Sequence, residues 1–509
     1  MKLTLGIDSS TQGVKAVAWD VDAGKVVFSA SVNYGRDLPQ YNSPDGFLPN
    51  VDVLVRHADP RMWVEGLGLV LAKLRATGCP MGDVVAIGGD AQQHATVYLE
   101  SLVPLVFSRP TSPIWMDSST AAECAALDAK FGARLQTDTG SPAIERFAGP
   151  QIMKFAKSDP EGYAKTKRIH LLSSFLASYL VGEDMPIDFG DGAGMNLLNL
   201  KTGEWDAEIC EAVAPGLREK LPETARSGSA PYQRPLGSRF SKFGLRPGIP
   251  VVPFTGDNPA SLVGCFAEQP GTAVISLGTS DVFFAAMETF HTDPDGCGHV
   301  FGNPMGGFMS LSCFKNGSLA RDRVRRDLGV DWKFFDETAW GNRTIEQSEQ
   351  SEQSNNPNDR TLEQSNNRTI EQPNNRTIEQ SNNRTIEQPN NRTIEQSNNS
   401  PRAFPFFEAE ITPKHEATGI AANFDWTAAD AATKVRAIVE GQIANMYERT
   451  RWIGRFDEIK VTGGASRSKG IRETIARIFG AKVTTLDVTD SATVGGARLA
   501  AQRVKGLKG

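Results

Sequence analysis

The chain is poor in several things that would each imply a function. Its six cysteines (Cys79, Cys124, Cys210, Cys265, Cys297 and Cys313) are scattered with no CxxC pair. That excludes a disulfide scaffold and a cysteine-rich zinc module, and it fits a reducing compartment. No apolar run reaches the roughly 18 residues that a membrane-spanning helix needs. None of the six histidines falls in an HExxH string, which excludes a zincin, and no GxxxxGK[ST] occurs, which excludes a P-loop. The opening MKLTLGIDSS has no cationic stretch followed by an apolar one, so a secretory leader is not expected. Fifty-four Lys and Arg stand against 60 Asp and Glu, a net charge of −6, so the basic stripe that phosphate backbones require is missing. Neither a nucleic acid nor a membrane is expected as a partner, and the expected location is the cytosol.

The remaining 39% of hydrophobic residues, over 509 positions, are enough for real cores. At roughly 150 residues per domain the length suggests two or three domains. One segment stands apart. Residues 343–399 contain no aromatic side chain, and the octet NNRTIEQ(S/P) runs four times from Asn366 to Ser397. One isoleucine per octet matches neither a strand period nor a helix period, so no face can be buried. Known solenoid repeats are longer and carry several apolar positions each. The composition predicts a disordered insert. Each NRT is formally a glycosylation sequon, a match without meaning when no leader is expected.

Outside the insert the pattern is α/β. Leu3 to Ile7, Val14 to Val21 and Val26 to Tyr34 read as three strands joined by the turns DSSTQG and DAGK. Trp63 to Arg75 has helical spacing and Val84 to Gly89 reads as a buried strand. The motif then recurs: Ala273 to Leu277 and Val282 to Met287 are predicted strands around the turn GTSD. Gly and Pro residues between Leu236 and Pro253 suit a boundary. Ala429 to Arg451 is a predicted long helix, followed by a strand at Ile459 to Thr462, a helix at Ile471 to Phe479, a strand at Val483 to Leu486 and a small-residue helix at Ser491 to Arg503.

Five strings could carry chemistry. Asp8-Ser9-Ser10-Thr11-Gln12-Gly13 and Gly278-Thr279-Ser280-Asp281 place hydroxyls and backbone N–H groups on tight turns, which can cradle an anion or simply close a hairpin. Asp8, ending a buried strand, can hold hydrated Mg²⁺, which takes one or two carboxylates plus phosphate. In FTGDNPASLVG, Asp257 follows a strand and precedes a helix. There it is placed to act as a general base on a hydroxyl, or else Asp257 or Asn258 caps the helix. Gln92-Gln93-His94 could bind polyol hydroxyls, or His94 could be a structural histidine. GGASRSKG, opening a helix, could let a nucleotide lie flat on backbone, or could be a plain strand-to-helix turn.

Taken in order, the strings DSSTQGVK, AQQHATVY, PIWMDSSTAAEC, ERFAGPQI, LLSSFLASYL, PIDFGDGAGMNLL, FTGDNPASLVG, SLGTSDVFF, CFKNGSLARDRVR and VTGGASR resemble the FGGY family of carbohydrate kinases, within the hexokinase/actin ATPase superfamily. Several are close to its branch that phosphorylates D-xylulose. The resemblance covers residues 1–342 and 400–505. It implies two RNase H-like domains around a central cleft: 1–248 binding sugar, and 249–509 binding nucleotide, interrupted by the insert 343–399. It implies ATP and Mg²⁺ as cofactors and an open-chain ketose as substrate, while leaving the oligomeric state open. Residue by residue, Asp257 resembles the catalytic base, and His94, Arg146, Asp257 and Asn258 resemble the sugar contacts. Trp332, Gly464 and Ala465 resemble the nucleotide contacts. Asp8 with Thr11 resembles the Mg²⁺/phosphate turn, and Gly278, Thr279 and Ser280 its counterpart.

Two departures stand out. Ser468 occupies a place where the related pattern has Asn, which would weaken a hydrogen bond to the nucleotide, and the insert replaces a glycine-rich stretch before FPFFEAEITP. Other readings are a kinase for another pentulose or polyol, and an actin- or chaperone-like ATPase whose conformational cycle is the function. The latter gives no joint role to Asp257, His94 and Arg146. A catalytically weak or inactive ATP-binding sensor is suggested by Ser468 and the insert alone.

Overall fold

The computed structural model of the protein describes residues 1–226, 232–339, 400–486 and 490–504. The repeat segment 343–399, and with it the expected disorder, lies outside the described residues.

The first predicted hairpin forms as read. Strands β1 (Leu3–Ser9), β2 (Gly13–Asp20) and β3 (Lys25–Asn33) pair antiparallel in sequence. Helix α1 (Pro60–Ala76) packs on β2 and β3 and leads to β4 (Val84–Ala91), which returns parallel to β1. Asp59 caps α1 by accepting from Arg61 N, and Pro60, which has no N–H to satisfy, opens it. The sheet continues past β4 with short strands β5 (Arg234–Pro235), β6 (Pro250–Val251) and β7 (Thr255–Gly256). Residues 92–226, between β4 and β5, form a mostly helical excursion.

The second half repeats the plan after helix α2 (Asp257–Gly264). Strands β8 (Thr272–Leu277) and β9 (Asp281–Met287) form the second hairpin, with β10 (His299–Gly302) and β11 (Phe308–Phe314) added on the β9 side. Helices α3 (Ser318–Asp327) and α4 (Trp332–Ala339) follow. Beyond the insert come the pair β12 (Ala403–Phe406) and β13 (Gly419–Ala422), the long helix α5 (Ala431–Thr450), and β14 (Glu458–Thr462), α6 (Lys469–Phe479) and β15 (Lys482–Thr485). β14 and β15 extend the sheet parallel to β8. Both sheets therefore hold an antiparallel hairpin unit with parallel strands added beside its first strand, the duplication implied by the two similar turns.

The last helix, α7 (Ser491–Arg503), lies against β1, β4 and α2, on the sheet of the first half. Its small residues make this possible. A Cβ at Gly6 of β1 would collide with the Thr493 carbonyl, and one at Gly495 of α7 with the Ala260 carbonyl. Thr4 donates from the same face of β1 to Ala497 O at 2.9 Å. The alternate residues Leu3, Leu5 and Ile7 face the other way, into a core with Trp63, Leu67 and Leu71. Among the described residues no helix is long and apolar enough to cross a membrane.

Candidate active site

One short strand, β7, set against the end of β4, aims Asp257. Thr255 and Gly256 lie parallel to Asp90 and Ala91 at the C-terminal end of β4, so Asp257 opens α2 where the first sheet's parallel strands end. The capping alternative is not what the structure shows: Gly256 holds the N-cap position and no side chain caps the helix. The approach is pinned from behind. Thr255 Oγ1 donates to Asp188 Oδ1 at 2.6 Å, and Arg503 of α7 donates to Asp188 Oδ2 at 2.9 Å and to Pro253 O at 3.2 Å. Asn258 donates from its backbone N to Asp257 Oδ1 at 2.8 Å and from its side-chain amide to Gln93 Oε1 at 2.9 Å. Burial, and next the charge of Asp8, push the Asp257 carboxyl up to about 7, while hydrogen bonds from Asn258 and Gln93 pull it down.

Asp8 stands directly beside Asp90 in the parallel register of β1 and β4. Both are buried, and the two carboxyls share a side-chain hydrogen bond with each other while no other group donates to Asp8 Oδ1 or to the Asp90 oxygens. Burial raises Asp8 to about 6, against the lowering effect of Asp90 and Lys15, and it raises Asp90 well above the usual carboxylate range. Asp191 is a further buried carboxyl, pushed up by burial although Ser173 Oγ donates to it. Neither Asp90 nor Asp191 is singled out by the sequence reading. The signal present was position alone: Asp90 two residues before Gln92, and Asp191 within PIDFGDGAGMNLL. Thr11, in the first turn, accepts the Trp115 indole N–H at 2.8 Å and donates to Gln92 Oε1 at 3.4 Å. Trp115, also missed, is half exposed within PIWMDSSTAAEC.

His94 adopts φ +70°, and its ring stacks on Phe147 with centroids 4.4 Å apart. Its Nδ1 donates to Gly194 O at 2.8 Å, which leaves Nε2 as an acceptor in the neutral ring. Neutrality is enforced first by burial and then by the Arg146 charge, which together hold His94 well below its ordinary value. His299, on β10 of the second half, also packs against Phe147, tilted at 5.8 Å, and is pushed down to about 3 by burial and Arg146. Arg146 is itself lowered by burial, and it interacts with Cys313 of β11. Arg146 and His94 thus meet the second half across Phe147, His299 and Cys313.

The nucleotide candidates converge elsewhere, on a cavity of about 540 Å³. Gly278 and Thr279 of the second turn, Trp332 of α4, and Gly464, Ala465 and Ser468 before α6 all line it, together with Leu319 and Arg321 of α3. Ser280 belongs to the same turn but is not among the lining residues. Trp332 is 48% exposed and Leu319 57%, two apolar side chains open to a planar ligand. Ser468 caps α6, accepting from Ile471 N at 3.4 Å. The first turn and Asp257 therefore belong to one face of the site, and the second turn with the cavity to another.

The sequence patterns of the FGGY family of carbohydrate kinases match twice, the N-terminal domain at residues 3–264 and the C-terminal domain at 273–503. The chain is 36% identical to the xylulose kinase of Rattus norvegicus, over 97% of this chain and 87% of that one. It is 33% identical to xylulose kinase 2 of Arabidopsis thaliana, over 98% and 87%. In fold it is similar to the xylulose kinase of Bifidobacterium adolescentis (TM-score 0.75, 21% identity, 99% of this chain and 93% of that one). It is also similar to the glycerol kinase of Plasmodium falciparum with ADP (TM-score 0.74, 16% identity, 98% and 90%).

Proposed function

The chain belongs to the FGGY family of carbohydrate kinases, and we propose that within it the protein transfers the γ-phosphoryl group of ATP to D-xylulose, giving D-xylulose 5-phosphate. The observation that carries this reading is Asp257. It is a carboxyl at a strand end, raised to about 7 by burial and the charge of Asp8, and joined through Asn258 to Gln93, the neighbour of His94.

In the reaction Asp257 accepts the proton of the terminal hydroxyl as that oxygen attacks the γ-phosphorus. The bond from phosphorus to the bridging oxygen breaks, and ADP leaves with the electron pair. A base near neutrality serves this best, being deprotonated at working pH yet basic enough to take the proton. His94 Nε2 accepts a sugar hydroxyl and the Arg146 guanidinium donates to others. Both are half-desolvated or buried groups whose unmet hydrogen bonds disfavour a ligand lacking hydroxyls. The Thr11 turn and the second turn, whose Gly278 and Thr279 line the cavity, hold the phosphates, and the Trp332–Leu319 opening takes the base. Gly464, Ala465 and Ser468 form the cavity's backbone side, with the Ser468 hydroxyl already engaged by its helix.

Asp8 fits the magnesium that would accompany ATP. Its Oδ1 is buried and no group other than Asp90 donates to it, and among the described residues no set of three or more His, Cys, Asp or Glu could cage a metal unaided. A hydrated ion shared between Asp8 and phosphate would supply neutralisation of the phosphate charge. The cytosol is the proposed location, in keeping with six unpaired cysteines. Coupled ADP release over a panel of pentuloses and polyols, with and without magnesium, tests the reading. Turnover highest with D-xylulose supports it, and a preference for another polyol, or ATP hydrolysis indifferent to sugar, refutes it.

A further inference from the structure

Glu410 lies in the segment after the insert and has no role in the site as described above, yet it is 4% exposed and carries a carboxylate. It accepts five hydrogen bonds. Oε1 takes Lys315 N at 2.6 Å, Ile411 N at 2.8 Å and Thr412 N at 3.4 Å, and Oε2 takes Asn316 N at 3.1 Å and Asn316 Nδ2 at 2.9 Å. Asn316 completes the join from the other side, since its Oδ1 accepts Phe407 N at 3.1 Å and Glu408 N at 3.0 Å. A carboxylate satisfied by fixed N–H donors is worth more than an ordinary neutral bond, and no apolar group could replace it without orphaning those donors.

What Glu410 holds is the entrance to α3. The next residues rest on the second turn: Ser318 N donates to Gly278 O at 3.2 Å, and Gly317 packs so close that a Cβ there would stand 2.5 Å from Asp281 N and 2.8 Å from Ser280 C. Leu319 and Ser318, one helical turn from Glu410's donors, line the cavity with Gly278 and Thr279. The path runs from Glu410 through the Lys315 and Asn316 amides to Gly317–Leu319, and from there to the turn Gly278–Asp281.

We propose that Glu410 is a positioning residue for nucleotide binding: it clamps the Lys315–Gly317 loop so that the second turn and Leu319 stand in place before ATP arrives. This rests on the reading of the cavity as the ATP site. Preorganised donors cost no reordering on binding, so the clamp acts on affinity and orientation and not on the base.

The experiment compares ATP and ADP binding by calorimetry, and the separate KM values for ATP and sugar, in wild type, Glu410→Ala, Glu410→Gln and Asn316→Ala. The expected result is an ATP KM raised about tenfold or more in Glu410→Ala, with the sugar KM within about twofold. Glu410→Gln should lie between, since its amide keeps one acceptor oxygen, and Asn316→Ala should shift the same constant. A merely structural role would lower the melting temperature without separating the two KM values. Should Glu410→Ala not fold, Glu410→Gln and Asn316→Ala carry the comparison. Wild type that binds ATP while the variants bind it equally well, or variants that raise both KM values alike, overturn the proposal alone. Wild type that binds no nucleotide overturns the reading of the cavity as well.

Discussion

The side-chain amide of Asn258 donates to Gln93 at 2.9 Å, tying the helix that begins with Asp257 to the loop that ends in His94. Asp257, the proposed base, and His94, a proposed sugar contact, are therefore set on one frame, although 163 positions separate them in the chain. Because Asn258 also donates to Asp257 Oδ1 at 3.1 Å, an amide in place of the carboxyl keeps the frame and loses the base. Asp257→Asn is expected to bind sugar nearly normally by calorimetry while kcat falls by about a hundredfold to ten-thousandfold. Turnover close to wild type would remove Asp257 from the chemistry.

The pH dependence follows from the same carboxyl. With Asp257 at about 7, kcat should rise with pH through a limb near that value, and the limb should disappear in Asp257→Asn. Stability runs the other way. Between the ordinary carboxylate value of 3.8 and about 7 the folded protein holds a proton that the unfolded chain has released. The unfolded state therefore binds fewer protons, and stability falls as pH rises across that window. Thermal melts should show Asp257→Asn stabilised relative to wild type at pH 8 and much less so at pH 4.

Gly256 is a tight point of the frame. A Cβ there would stand 2.5 Å from Gln93 Cγ and 2.9 Å from Asp191 Oδ1, both inside the normal approach of real side chains. Gly256→Ala is expected to move the strand end that aims Asp257, since the neighbours are packed and Gln93 is already bonded to Asn258. An angstrom of misplacement at a reacting group can cost on the order of a hundredfold in rate. Steady-state kinetics would check this: kcat should drop far more than the ATP KM rises.

Much of this was legible in the residues. The short apolar run Leu3 to Ile7 marked β1, and the long helical pattern from Ala429 to Arg451 became α5 at Ala431–Thr450. Asp257 and the second turn were visible because strand-to-turn transitions leave local composition behind. What could not be read was pairing at long range. Nothing in the periodicity of Ser491–Arg503 says that this helix lies on the sheet of the first half, because small residues permit close packing without naming the partner. Likewise Asp90 acquires its neighbour only through the register of β4 against β1, and Glu410 its Lys315 and Asn316 donors only across 94 to 95 positions.

On the sugar side, His94→Ala and Arg146→Ala should raise the sugar KM and leave the ATP KM near its original value. Each removes a group proposed to pair with a sugar hydroxyl, and a lost partner for a desolvated hydroxyl costs about 1–3 kcal/mol, roughly fivefold to 150-fold. His94→Ala also opens the stack on Phe147, so some loss of melting temperature should accompany it. A change confined to the ATP KM would put these residues on the wrong face of the site.

The buried pair Arg321–Asp281 offers the most direct check on how the nucleotide side is built. Each side chain is 2% exposed, and the guanidinium donates to both Asp281 oxygens, at 2.7 and 2.8 Å, as well as to Gln442 at 3.1 Å and Ser318 at 2.8 Å. The pair locks the end of the second turn to the first turn of α3. Burial raises Asp281 and Arg321 opposes that rise, so removing the arginine leaves a desolvated carboxylate without its counter-charge. Breaking such a pair from one side typically costs about 3–5 kcal/mol, whereas replacing both partners by apolar groups costs far less. Arg321→Met alone should therefore lower the melting temperature markedly, and the loss should shrink as pH falls and the orphaned Asp281 takes up a proton. The double variant Arg321→Met/Asp281→Leu should regain much of that stability. It should not regain the wild-type ATP KM, because the turn carrying Gly278 and Thr279 would then lack its anchor. Additive losses in the double-mutant cycle would show that the two side chains do not act as one unit.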